Sequence, residues 1–274
     1  MAQLDNVFDD VGTGLPIIFL HGFPFNRSMW REQIAFLSAN GYRCIAPDLR
    51  GLGENVAQTS VCDDRPDHRL KSVPPAGMDD MARDVAGLMD KLQIERAVVC
   101  GLSMGCYVAF DFIHLFPARV SALVLCGARA QGPDDAEKKS REAQAQRVLA
   151  EGMDLAVESI SNLLAANTVN EKAGVVENVR QMALHTDPIG AAAAQRGMAI
   201  RRDYSADLEN ISVPTLIIAG REDGVRKPED AGFIHTRIKS SRLEVLADAG
   251  HLMNMEQAEA FNQAMLDFLT RNVS

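Results

Sequence analysis

Residues 96–117 read RAVVCGLSMGCYVAFDFIHLFP. An apolar run ending at Cys100 meets Gly101-Leu102-Ser103-Met104-Gly105, and a stretch of helical character follows as far as Pro117. Strand, tight turn and helix in that order is the setting in which G-x-S-x-G carries chemistry, because the glycines relieve crowding while the serine is thrust out at the strand's C-terminal end. The free N–H groups of the helix start favour negative charge developing there. Ser103 is therefore the candidate nucleophile.

The same alternation runs through the rest of the chain. Short apolar runs occur at 16–20 (PIIFL), 42–46 (YRCIA), 96–100 (RAVVC), 121–126 (SALVLC), 215–220 (TLIIAG) and 242–247 (RLEVLA). Helical stretches are expected at about 27–39, 78–92, 104–116, 228–238 and 256–270. Apolar runs without alternation imply strands buried on both faces, which is the mark of a mostly parallel sheet between helices. Two stretches break the rhythm. Residues 54–77 are polar, contain Pro66, Pro74 and Pro75, and are expected to form a long surface loop. Residues 129–207 are almost wholly helix-like, with helices expected at 134–149, 154–166, 171–184 and 188–201 and no strand between them. The expected organisation is a core of residues 1–128 and 208–274, with 129–207 inserted as a helical cap over the sheet edge.

A chain of 274 residues that is 47% hydrophobic and 24% charged can bury a sizeable core. Its net charge of −9 repels polyanions, so no nucleic-acid partner is expected. No apolar run approaches the roughly 20 residues that span a bilayer, and MAQLDNVFDD has neither the basic nor the apolar region of a secretory signal. No membrane association and a cytoplasmic location are the expectations. Cys44, Cys62, Cys100, Cys106 and Cys126 are odd in number and unpaired in spacing, as reduced and mostly buried thiols would be. No metal is expected, since the histidines are dispersed and H-E-x-x-H is absent. No cofactor is expected either, because neither a P-loop nor a G-x-G-x-x-G after the first strand occurs.

A serine hydroxyl needs a base, and the base needs an orienting acid. Of six histidines, His251 alone lies in a strand-to-helix turn, within Ala249-Gly250-His251. Asp223 follows the run TLIIAG in Gly220-Arg221-Glu222-Asp223-Gly224, with Glu222 as its competitor. The order serine, acid, histidine results. Oxyanion donors are expected from the backbone N–H of Met104, just past the serine, and of Phe23 in His21-Gly22-Phe23-Pro24. Phe23, Phe25 and Trp30 are expected at the floor of a substrate pocket, with core packing as the alternative, for Trp30 above all.

HGFP, Asp48-Leu49-Arg50-Gly51-Leu52-Gly53, GLSMG, GREDG and AGH, taken together in this order, resemble the α/β-hydrolase superfamily. The resemblance spans the chain outside the cap and the 54–77 loop. It implies an α/β-hydrolase fold: a mostly parallel central sheet of about seven strands flanked by helices, with an inserted helical cap. It also implies Ser103 as nucleophile, His251 as base, Asp223 as orienting acid, and Phe23 and Met104 as oxyanion donors. Within the superfamily the chain is similar to bacterial esterases and the 3-oxoadipate enol-lactonase-like group, which implies a small-molecule ester or lactone as substrate. Departures are Cys106 where a further glycine is common, a short N-terminus, and the length of the 54–77 loop. Two alternatives stay open: a C–C bond hydrolase or perhydrolase using the same triad, and a ligand-binding protein that has kept the fold without catalysis. The sequence does not reveal oligomeric state.

Overall fold

A computed structural model describes residues 7–55, 73–158 and 160–273. Most of the 54–77 loop, together with Cys62 and His68, lies outside these residues. Seven strands form one sheet: β1 (Phe8–Val11), β2 (Leu15–Leu20), β3 (Tyr42–Pro47), β4 (Ala97–Leu102), β5 (Val120–Cys126), β6 (Thr215–Gly220) and β7 (Ser241–Leu246). Their spatial order is β1-β3-β2-β4-β5-β6-β7. Only β1 is antiparallel to its neighbour.

The apolar runs become strands because each side of the sheet has helices to bury it. Ile18, Val99, Leu123 and Ile217 point into one core with α2 (Met78–Lys91), α3 (Met104–Leu115) and α9 (Pro228–His235). Ile17, Val98, Val124 and Leu216 point into the other, with α1 (Arg31–Ala39) and α11 (Ala258–Asn272). Every residue of β4 and β6 is buried. β1 escaped the sequence reading because FDDV is short and half-exposed, as suits an edge strand. Its Asp10 takes a two-pronged ion pair from Arg43 of β3 at 2.9 and 2.7 Å. The expected helix at 27–39 is a 3₁₀ turn, Arg27–Trp30, running into α1. That at 256–270 is α11 preceded by a short α10 (Met253–Glu256).

Between β5 and β6 the described residues hold helices and no strand: α4 (Asp135–Glu151), α5 (Asp154–Glu158), α6 (Ala166–Glu171), α7 (Ala173–Leu184) and α8 (Pro188–Ala199). The helix expected over 154–166 is broken, with a 3₁₀ turn at Ile160–Asn162, and Lys172 separates α6 from α7. Caps explain the cleaner boundaries. The Asp134 carboxylate accepts from Glu137 N at 2.7 Å, and that of Asp187 accepts from Ile189 N at 2.7 Å with Pro188 opening α8. Gly152 at φ +83° ends α4.

The helical layer is fastened to the sheet layer by backbone proximity. A Cβ on Gly190 of α8 would lie 1.6 Å from the Gly51 carbonyl oxygen. Ala76 N donates to Ala193 O at 2.9 Å. Within the layer, Arg196 of α8 forks onto Glu142 of α4 at 2.8 and 2.9 Å. No helix among the described residues is long and apolar enough to cross a membrane.

Candidate active site

Ser103 joins β4 to α3 with φ 54° and ψ −109°, a conformation that a side chain rarely adopts outside a strained functional turn. The turn is held by Ser103 N donating to Cys126 O at 2.9 Å on β5. A Cβ on Gly105 would meet Leu20 O at 2.1 Å, so this position admits no side chain. Cys106, the departure from the usual glycine, is buried, and its thiol lies 3.0 Å from Gly101 O. Burial pushes that thiol well up, and raises Cys44 to about 12, so neither is poised to ionise.

His251 and Asp223 come together from the ends of β7 and β6. The imidazole Nδ1 lies 2.7 Å from Asp223 Oδ2, and both side chains are almost fully buried. The other carboxylate oxygen, Oδ1, accepts from Val225 N and Arg226 N, each at 2.8 Å. The carboxylate is thereby fixed before the imidazole meets it. Glu222 points elsewhere, accepting from Ala166 N at 3.3 Å. Ser103 and His251 line one cavity.

Three supports were not visible in the sequence. Gly127, at the end of β5, has φ +55°, and a Cβ there would sit 3.0 Å from His251 Cε1 and 3.1 Å from Nδ1. Glu256 is buried beneath the histidine turn: its Oε1 accepts from Gly250 N at 2.9 Å and Leu252 N at 3.2 Å, and its Oε2 from Ala165 N at 2.7 Å. Burial raises its carboxyl, and the three donors pull in the opposite direction. His251 N in turn donates to Leu163 O at 2.7 Å, so the histidine turn is stitched to the helical layer from both sides. The fold alone brings these residues together, since 165 and 256 are 91 positions apart in sequence.

The loop after β2 lies against the serine turn, for a Cβ on Gly22 would fall 3.7 Å from Ser103 Cβ. His21 is buried and braces this loop. Its Nε2 accepts from Leu49 N at 2.8 Å, which leaves the proton on Nδ1 to donate to Gly22 O at 3.0 Å. Burial lowers its basicity, in keeping with a neutral ring. The Asp48 carboxylate accepts from Arg27 N at 2.7 Å and Glu54 N at 2.8 Å and pairs with the Arg27 guanidinium. The sequence motif DLRGLG is thus a brace for the HGFP loop. No hydrogen bond within the described residues occupies the Phe23 or Met104 N–H.

Phe23 and Phe25 line the cavity as expected, but Trp30 does not. Trp30 is wholly buried, 5.1 Å from the Phe19 ring and 6.2 Å from Phe261, where α1 and α11 needed a large apolar filler. The cavity measures about 1000 Å³, at the upper end of small-molecule sites. Strand-end loops form one wall, and the helices between β5 and β6 form the other through residues such as Val148, Met153, Ile160, Ala183 and Met198. Of the longer side chains between β5 and β6, Met153, Met198 and Arg129 also reach the cavity. Arg202 instead pairs at the surface with Asp207 at 2.7 Å.

A family model described as the alpha/beta hydrolase fold matches residues 16–258. The chain is 30% identical to 3-oxoadipate enol-lactonase 2 of Acinetobacter baylyi, over 91% of this chain and 86% of that protein. It is also 30% identical to a 2-hydroxy-6-oxononadienedioate/2-hydroxy-6-oxononatrienedioate hydrolase of Burkholderia vietnamiensis, over 96% and 90%. Among solved structures, a thermophilic esterase from Thermogutta terrifontis with malate bound is 38% identical, covers 96% of this chain and 92% of its own, and superposes with a TM-score of 0.89. By sheet order, by the turn at Ser103 and by these likenesses, the chain belongs to the α/β-hydrolase family.

Proposed function

We propose that the chain is a serine hydrolase that cleaves a small carboxylic ester or lactone through an acyl-enzyme on Ser103. The observation that carries this is the His251–Asp223 contact of 2.7 Å on the wall of the cavity that Ser103 enters at a strained strand-to-helix turn. The names of the enol-lactonase and esterase relatives point the same way.

In this scheme Ser103 Oγ attacks the carbonyl carbon and its proton passes to His251 Nε2. Asp223, already oriented by two backbone donors, holds the tautomer and stabilises the imidazolium. The tetrahedral oxyanion takes its hydrogen bonds from Phe23 N–H and Met104 N–H, which have no internal acceptor to give up among the described residues. Collapse breaks the acyl C–O bond, and the leaving oxygen takes the proton from His251. Water, deprotonated by His251, then releases the acid. For a lactone, the hydroxyl and the acid leave on one molecule. Residues 129–207 serve as the cap that walls the acyl pocket and limits water.

Treatment with a fluorophosphonate, intact mass measurement and peptide mapping test the scheme. One adduct on Ser103 is expected, together with hydrolysis of simple nitrophenyl esters that falls on the order of 10⁶-fold in Ser103→Ala. Hydrolysis surviving that substitution, or ligand binding with no adduct and no turnover, overturns it. C–C bond hydrolysis is a second reading, favoured by the likeness to the Burkholderia vietnamiensis hydrolase. Faster turnover of a dienoic ketone than of any ester would select it.

A further inference from the structure

The cavity carries an unusual charge arrangement for a chain of net charge −9. The Glu137 carboxylate, in the first turn of α4, meets four guanidiniums. Arg201 reaches it at 2.9 and 3.1 Å and Arg141 at 2.9 and 3.0 Å. Arg129 and Arg226 stand farther off, at 3.8 and 3.9 Å. Asp134, the other carboxylate on this stretch of wall, is committed to capping α4. Arg147 and Glu158 also line the cavity, and Arg147 pairs with Glu151 at 3.2 Å.

These four arginines are not equivalent. Arg141 and Arg201 spend their donors on Glu137, the Gln195 side chain and the carbonyls of Met198 and Gln131. Arg201 also lies over the Tyr107 ring, 4.5 Å from its centre. Arg129, Arg141 and Arg226 all line the cavity, but only Arg129 and Arg226 stand beyond hydrogen-bond distance of Glu137, and the buried Nε of each, like that of Arg201, has no acceptor among the described residues. Both are tied to the catalytic elements. Arg129 is two residues beyond Gly127, where a side chain would crowd the His251 ring. Arg226 donates its backbone N–H to Asp223 Oδ1, and its Nη2 to the Tyr107 hydroxyl at 2.7 Å, one turn along the helix that Ser103 opens. Three of the four guanidiniums are largely buried and all gather round one carboxylate, an excess of positive charge that costs stability unless a further anion joins it.

We propose that Arg129 and Arg226 form a subsite for a substrate carboxylate, so that the ester or lactone cleaved at Ser103 is itself an acid. Planar guanidinium forks suit a planar carboxylate, and the apolar wall opposite suits the hydrocarbon that joins it to the scissile carbonyl. Glu137 is the resident counter-ion that keeps the cluster folded when substrate is absent. Burial pulls the basicity of Arg226 down, but Tyr107 and Glu137 outweigh it, so the group stays charged. The inference rests on the proposed Ser103 chemistry.

The experiment compares mononitrophenyl succinate, glutarate and adipate with the same compounds capped as methyl esters. Charged hydrogen bonds of this kind predict a kcat/KM ratio favouring the free acid by about tenfold to a hundredfold. That ratio should collapse in Arg129→Gln and in Arg226→Lys, which keeps the charge but loses the fork. Glutarate should protect Ser103 from the fluorophosphonate, and inorganic phosphate should not. No preference for the acid, a preference kept by both variants, or equal protection by phosphate overturns the proposal. Cleavage of the capped esters without acid preference sinks only the subsite. If neither series is cleaved and Ser103 takes no label, the hydrolase reading falls, and calorimetry of glutarate with wild type and Arg129→Gln decides the subsite alone.

Discussion

Gly127 sits with φ +55° against the edge of the His251 ring, where a methyl group would arrive at 3.0 and 3.1 Å from two ring atoms. Gly127→Ala has to push the imidazole by a few tenths of an ångström and to hold an alanine in the left-handed region, at a cost of about 1–2 kcal/mol. Since misplacing a base by such amounts is expensive, kcat should fall by about tenfold to a hundredfold with KM little changed. Steady-state rates on a neutral ester check this, and a wild-type kcat would show that the ring position does not matter. At this scale the sequence was legible wherever function imposes a local pattern. Ser103, Asp223 and His251 each stand at a strand end within two residues of a glycine, and the structure brings His251 to Asp223 and sets Ser103 on the cavity that His251 lines. Gly127, Glu256 and Arg226 were illegible because their reasons are contacts with distant segments. Trp30 took the core alternative, since an aromatic after a functional loop serves a core as readily as a pocket.

Among the elements, α4 shows how a helix with little apolar surface is held in place. Its buried residues are only Ala145 and Val148, and Glu137 supplies the fastening. Burial alone would raise this carboxyl, but the hydrogen bonds from Arg201 and Arg141 win and hold it down to about 2, against 4.5 when free. A carboxylate depressed on folding contributes in full above its unfolded value and loses that contribution as pH falls from 4.5 towards 2. The linkage amounts to about 3 kcal/mol, or about 2 kcal/mol after screening through the open side of the cavity. Urea melts should show Glu137→Gln well below wild type at pH 7 and the gap narrowing by pH 3. A gap independent of pH would refute the assignment. The element-level reading succeeded for the six apolar runs, five of which are mostly buried on both faces, while β7 at the far edge is only half-buried and carries Arg242 and Glu244. It missed β1, whose polar FDDV pairs at the sheet edge, and merged the short helices after α4, where no single period persists.

For the whole molecule, the sequence announced a sheet with a helical insertion but not what the two layers enclose. Apolar periodicity reports that a face is buried without saying against which neighbour, so the cavity and its ring of arginines emerge only when β5, β6, α3 and α4 are seen together. The contact between Gly190 and Gly51 has a consequence for that enclosure. The two backbones meet with no room for a methyl group, so Gly190→Ala drives a wedge between roof and floor without replacing any side chain that lines the cavity. Such a wedge separates admission from chemistry. Bulky esters should gain on small ones in kcat/KM as the roof lifts, fluorophosphonate should still mark Ser103, and the melting temperature should drop by several degrees. Unchanged size selectivity in a folded variant would show that the roof is not set by this contact. Size tolerance is then governed from a position that touches no substrate, and selection for larger esters has a route that leaves the reacting groups alone.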